Sequence, residues 1–232
     1  MSSTTAKPLG TKAYGSIPHL PGSRLGPGDH HCHAGQAELC QFRTRHKDDV
    51  VWVEEKLDGS CCSVARLQDG SLVALGRAGW PAQSSPYEQH QLFAAWVRDN
   101  EWRFEFLSPG ERVVGEWLAM AHGTRYCLVG RQPFVAFDLM RGKERATRAE
   151  FGRRLIPACV ATAPVLAFGP CSVEKAMERL GPRGYYGAVD EAEGAVWRVE
   201  SGGRVDFLAK YVRPGKVDGR YFEGEPVWNW RP

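Results

Sequence analysis

Along most of the chain, apolar residues come in short runs broken by Gly, Asp, Ser or Pro, the signature of strands joined by tight turns. The continuous run at 50–53 (VVWV) predicts a buried strand. Segments 62–67 and 71–75 flank Gln68-Asp69-Gly70 and predict a hairpin. Segments 113–118, 134–139, 195–199 and 205–212 predict further strands, the last two paired around Ser201-Gly202-Gly203. Helical periodicity is rarer. Leu92, Phe93, Trp96 and Val97 recur at helical spacing behind Ser85-Pro86-Tyr87-Glu88, which reads as an N-cap, a proline in the first turn and a glutamate three residues after the cap. Thr147 and Glu150 form a second capping box, opening a helix through Leu155, and Ser172 caps a third helix that Gly181-Pro182 stops. Strands outnumber helices and sit in adjacent pairs. The expectation is an α+β fold of antiparallel sheets flanked by helices.

Residues 1–12 are small and polar and read as a flexible N-terminus. Residues 14–29 are dense in Pro and Gly and read as ordered but irregular. No internal boundary stands out, so 13–232 is expected to be a single domain with a basic, aromatic tail from about 213 to 232. With 232 residues and 43% apolar content, a sizeable core is expected and global disorder is excluded. A net charge of +3 neither demands nor excludes nucleic acid, because only a local basic groove is needed. Seven cysteines without a signal peptide suggest a reducing, cytoplasmic setting. No apolar run approaches a membrane span, and no internal repeat is present.

The stretch EEKLDGSCCS (54–63) places a lysine at a predicted strand end beside an Asp-Gly turn. A lysine attacks only when neutral, and its ordinary pKa of about 10.4 must be lowered for that. Lys56-Leu57-Asp58-Gly59 by itself is equally a strand followed by a turn. Downstream, Glu116 closes an apolar strand, Phe137 sits inside another, Glu193-Gly194 opens a third and Lys210 lies near the end of a fourth. By composition alone Phe137 reads as core, and Glu116 and Arg77 as solvated charges. The string His30-His31-Cys32-His33 is contiguous, so its side chains do not converge on one tetrahedral ion, and it reads as a polar surface loop. Alternation points one of Cys61 and Cys62 inward.

The ordered set KLDGS, GR, VGEW, FVAFDL, EGAVWR and AKYVR, spanning about residues 54–213, resembles that of the covalent nucleotidyltransferases: ATP-dependent RNA ligases, DNA ligases and RNA capping enzymes. Ser60 and the leading SIPHLPGS are more similar to the RNA ligases. Cys61 stands where DNA ligases and capping enzymes usually carry a basic residue. The resemblance implies an adenylation domain of the ligase (ATP-grasp-like) type. About twenty residues follow Lys210, so no OB-fold domain is expected within the sequence.

It further implies ATP and Mg²⁺ (or Mn²⁺) as cofactors, and a three-step reaction. Lys56 takes AMP from ATP, the AMP passes to a 5′-phosphate end, and a 3′-hydroxyl displaces it. Lys210 would neutralise the α-phosphate, Phe137 stack the adenine, Glu116 bind the ribose, Arg77 contact sugar or phosphate, and Glu193 hold the metal. The backbone of Glu55 would line the adenine pocket, and Asp58 and Gly59 complete the nucleotide-binding set. Many relatives carry a second lysine near the one matched by Lys210. Here Val212 or Leu208 takes that place, leaving one cation fewer unless Arg213 or Lys216 substitutes. The implied partners are RNA ends, with DNA as the alternative, and a partner protein supplying substrate specificity; no membrane partner is implied. Other readings are a stand-alone DNA ligase core, an adenylyltransferase acting on something other than a polynucleotide end, and a nucleotide-binding module without activity. The tail cations Arg213, Lys216, Arg220 and Arg231, interleaved with Tyr221, Phe222, Trp228 and Trp230, either grip a nucleic-acid strand or pack on the domain.

Overall fold

The computed structural model describes residues 6–216 and 225–232, so Arg220, Tyr221 and Phe222 of the tail lie outside the described residues. The fold is α+β, with antiparallel sheets flanked by helices, as the apolar pattern predicts. The described chain divides into two compact units, each with its own sheet. One comprises residues up to 15, 60–119 and 132–162; the other 16–59, 120–131 and 163 onward.

The first unit holds β2 (Ser60–Arg66), β3 (Leu72–Gly76), β4 (Glu111–Trp117), β5 (Phe134–Arg141) and β6 (Glu144–Arg145) in the order β3-β2-β4-β5-β6, with α2 (Glu88–Asp99) and α3 (Arg148–Leu155). Phe93 and Trp96 of α2 pack on Trp117 and Phe134, with ring centroids 5.2 Å apart for Phe93 and Trp117. Each such pair adds about 0.5–1.5 kcal/mol beyond the area it buries. The β2–β3 hairpin turns at the predicted place, where Leu67 N–H donates to the Ser71 carbonyl and Gly70 takes φ +85°. Helix α2 starts two residues later than its sequence signal. Its N-cap is Tyr87, without a side-chain cap bond, because the Ser85 hydroxyl is engaged by His90 Nδ1 at 2.8 Å. His90 Nε2 in turn lies 2.8 Å from Ser60 Oγ.

The second unit holds α1 (Ala34–Gln41), β1 (Val50–Lys56), β7 (Val165–Phe168), α4 (Val173–Leu180), β8 (Gly194–Ser201) and β9 (Arg204–Val212), with sheet order β7-β1-β8-β9. Val51, Val53, Trp197 and Ala209 turn one sheet face into a core closed by Ala37 and Cys40 of α1 and Ala176 and Leu180 of α4. The Pro- and Gly-rich segment is ordered because it lines the outer edge of β9. Lys210 N–H donates to the Pro18 carbonyl, Leu20 N–H to that of Lys210, and Arg24 N–H to that of Val212. Such cover removes an open sheet edge. His19 also bridges to His31, and Cys32 is buried. His30, His31 and His33 are exposed, as a surface loop requires, while Cys32 turns inward and His31 joins the sheet margin through its bridge to His19. Neither α1 nor β7 was evident in the sequence; α1 lacks a strong apolar stripe, and β7 is four residues long.

Among the described residues no helix is long and apolar enough to cross a membrane. All seven cysteines are free.

Candidate active site

Six of the nine residues singled out from the sequence lie in the second unit: Glu55, Lys56, Asp58, Gly59, Glu193 and Lys210. Pairing of β8 with both β1 and β9 arranges them. Lys56 registers with Gly194, and Lys210 with Val196. Because side chains alternate along a strand, Lys56 and Lys210 stand on one sheet face, on the two strands flanking β8. Gly194 has no room for a side chain, since a β-carbon there would overlap the Tyr211 carbonyl.

Lys56 Nζ lies 2.6 Å from Glu193 Oε2. Burial pushes the Glu193 carboxyl up; Lys56 pulls it back, and the net shift is upward. Lys210 Nζ lies 3.7 Å from Asp29 Oδ1, while Asp29 Oδ2 is 3.0 Å from His19 Nε2. His19 Nδ1 is 2.6 Å from Ser23 Oγ, which also accepts the Val212 N–H. Burial, and then the charge of Lys210, lowers the His19 pKa and favours neutral imidazole. For Asp29, burial acts upward, but Lys210, the Gly26 N–H and His19 outweigh it and the carboxyl is lowered. Asp29 thus gives Lys210 its carboxylate, and His19, itself bonded to Ser23 of the PHLPGS segment, holds that carboxylate in place.

The Asp58 carboxylate forms an ion pair with Lys216 and accepts the Gly123 N–H at 2.7 Å, and the Asp58 N–H donates to the Tyr126 hydroxyl. Arg213, the other candidate substitute for a second lysine, pairs with Glu191 at 2.8 Å. Glu55 is 3% exposed, and its Oε2 accepts the N–H groups of Tyr185 and Tyr186 at 2.8 and 3.2 Å. Its Oε1 is buried with no hydrogen-bond partner among the described residues. Burial raises the Glu55 pKa against those two donors. Alternation along β1 turns the Glu55 side chain to the sheet face opposite Lys56, so its backbone, and not its carboxylate, is what the site can use.

Arg77, Glu116 and Phe137 lie in the first unit. Arg77 follows β3, is exposed, and donates to the Gly15 carbonyl at 3.3 Å. Glu116 sits near the end of β4 opposite Cys61. Cys62 is fully buried and Cys61 partly so, as alternation predicts. Phe137 occupies a β-bulge: the register steps from Val114 opposite Asp138 to Gly115 opposite Ala136. A bulge re-aims the side chain it carries. Its ring meets Tyr14 edge-on at 5.2 Å, and Tyr14 is anchored through its hydroxyl to Asp138 at 3.0 Å. Tyr14 and Asp29 carried no motif signal, and His19 lay in the SIPHLPGS resemblance without a role; their contacts single them out.

The described part of the tail packs within the second unit. Ala121 N–H donates to the Val227 carbonyl, and Tyr126 N–H to Asn229 Oδ1 at 2.9 Å. Arg231 lies over the Trp228 ring at 4.2 Å.

The RNA ligase family model matches residues 49–212. Among solved structures, a Naegleria gruberi RNA ligase with PPi shares 17% identity at a TM-score of 0.56, over 92% of this chain and 60% of that one. A lysine-to-alanine variant of the Naegleria gruberi RNA ligase with ATP and Mn shares 18% identity at a TM-score of 0.51, over 71% of this chain and 50% of that one. The chain thus spans about half the length of the latter, and the likeness is one of fold. Comparison with curated proteins found no match.

Proposed function

The chain belongs to the RNA ligase family, and on that premise we propose that it is an ATP-dependent RNA ligase that works through a lysyl-AMP intermediate in RNA repair. The observation that carries this reading is the Lys56–Glu193 pair at 2.6 Å at the end of β1, on the same sheet face as Lys210. Lys56 is the nucleophile. Its ammonium must first lose a proton, and Glu193 Oε2 is placed to receive it. The Nζ–Pα bond forms as the bond from Pα to the pyrophosphate oxygen breaks, leaving an activated phosphoramidate. A 5′-phosphate end takes the AMP and frees the Lys56 amine. A 3′-hydroxyl then displaces AMP and closes the phosphodiester.

Lys210 offsets charge that develops on the α-phosphate, and Asp29 holds it until a phosphate competes. Phe137, raised on its bulge, offers a ring for stacking adenine; Glu116 accepts ribose hydroxyls; Arg77 contacts sugar or phosphate. The backbone of Glu55 lines the adenine pocket beside Lys56. Asp58 and Gly59 shape the turn that follows the nucleophile.

Glu193 is the residue that would hold Mg²⁺ or Mn²⁺. Among the described residues no cluster of three or more His, Cys, Asp or Glu is set to hold a metal. A lone buried carboxylate fits Mg²⁺, which keeps waters and takes its other ligands from substrate phosphates. When bound, the ion offsets the triphosphate charge and orients pyrophosphate as leaving group. RNA ends, a partner chain that selects them and a cytoplasmic location complete the reading, the last supported by the free cysteines.

Incubation with Mg²⁺ and ATP labelled at the α-phosphate, followed by denaturing electrophoresis, tests it. A covalent AMP adduct that pyrophosphate reverses and Lys56→Ala abolishes is expected. No adduct from folded protein overturns the reading. Once an adduct forms, preference for a DNA nick would make the protein a DNA ligase core, and AMP transfer only to protein or small molecules would make it an adenylyltransferase.

A further inference from the structure

Lys216 is 3% exposed, an unusual burial for a lysine in a polar stretch. Its ammonium is seated on Asp58, itself 7% exposed and two residues after Lys56. The same Asp58 oxygen accepts the Gly123 N–H, and the Asp58 N–H is taken by the buried Tyr126 hydroxyl. Gly123 makes room for this arrangement: a β-carbon there would overlap Lys216 Nζ and come within 3.1 Å of Asp58 Oδ2. Residues distant in the chain therefore converge on the turn that follows the nucleophile. A buried ion pair persists only with good geometry and further hydrogen bonds, and removing one partner strands the other charge.

We propose that Lys216 is a positioning residue: through its buried ion pair with Asp58 it locks the Leu57-Asp58-Gly59 turn and so fixes where Lys56 Nζ points. Lys216 acts on the nucleophile's backbone and not on the substrate, so it does not take the place of a second phosphate-contacting lysine near Lys210. This inference rests on the assignment of Lys56 as nucleophile made above. It goes beyond that assignment in tying the start of the tail to the geometry of the attacking amine.

The test pairs Lys216→Met with Gly123→Ala. Gly123 does not have a left-handed φ, so alanine suits its backbone and acts by displacing Lys216 Nζ and crowding Asp58 Oδ2, that is, on the ion pair itself. Two quantities are read: single-turnover adduct formation as a function of ATP concentration, and amide hydrogen exchange across Leu57 to Ser60. Both variants are expected to slow adduct formation at saturating ATP by about 10- to 100-fold, the loss expected for a misaimed nucleophile. The half-saturating ATP concentration should stay within about twofold, and exchange at the turn should quicken in both. Asp58→Asn combined with Lys216→Met should lose little more than either change alone. Wild-type rates and exchange in Lys216→Met overturn the proposal. So does a raised half-saturating ATP concentration with an unchanged plateau rate, which would put Lys216 on the substrate. If wild type forms no adduct, the ligase reading fails, and turn exchange still decides whether Lys216 is the lock. If Lys216→Met does not fold, Gly123→Ala decides by the same two readouts.

Discussion

Glu55 shows how one buried side chain ties the stability of the fold to pH. Its carboxyl is buried, and burial holds its pKa above the ordinary 4.5. The folded chain therefore keeps the Glu55 proton to higher pH than the unfolded chain does. Its contribution to stability is fully present below the unfolded value and is lost as pH rises through the raised folded value. Glu55→Gln keeps an oxygen for the Tyr185 and Tyr186 N–H groups and cannot ionise. Any cost of its amide N–H is independent of pH. The melting temperature of the variant minus that of wild type should increase between about pH 4 and pH 8; a flat difference would show that ionising the buried Glu55 costs the fold nothing.

At the scale of elements, two of three predicted caps are in place. Thr147 Oγ1 accepts the Glu150 N–H at the start of α3, and Ser172 Oγ accepts the Lys175 N–H at the start of α4, both at 3.3 Å. Thr147→Ala and Ser172→Ala should each cost about 1 kcal/mol. As the two helices belong to different units, the costs should add in the double variant, read as denaturant midpoints at unchanged slope. The third cap failed because the Ser85 hydroxyl turns to the His90 ring, within α2, and to the Tyr87 N–H in place of the Glu88 N–H. Local capping rules describe which hydroxyl is available to a helix, not which neighbour draws it away. The strands were legible for the converse reason. Period-2 alternation is imposed by one buried face and survives whatever lies beyond the sheet. The bulge at Phe137 has no such signature, since it is set by the partner strand.

For the whole molecule, a net charge of +3 leaves nucleic-acid affinity to local features. The described tail satisfies Ala121 and Tyr126 N–H groups within its own unit. Removing residues 225–232 strands those donors, at about 1–3 kcal/mol for each that is buried. The expected result is a lower melting temperature and poorer solubility, with RNA affinity changed by less than about threefold. Retained stability with a tenfold or greater loss of RNA affinity would make the tail a strand-gripping arm, as its alternating cations and aromatics first suggested.

By itself the sequence determined the α+β class, most strand positions, two helix starts and the order of motifs around Lys56, Glu193 and Lys210. These are local properties, written in alternation, turn residues and short spacings. Only the tertiary structure decided which charge meets which. Lys56 pairs with a carboxylate 137 residues away, and Asp58 with a lysine 158 residues away. His19 and Asp29 reach Lys210 because an irregular segment lines the edge of β9, and Tyr14 braces Phe137 across 124 residues through Asp138. In sequence a buried lysine and a solvated one are the same letter. The difference is desolvation, which exists only once strand register and loop paths have brought the opposing charge within reach.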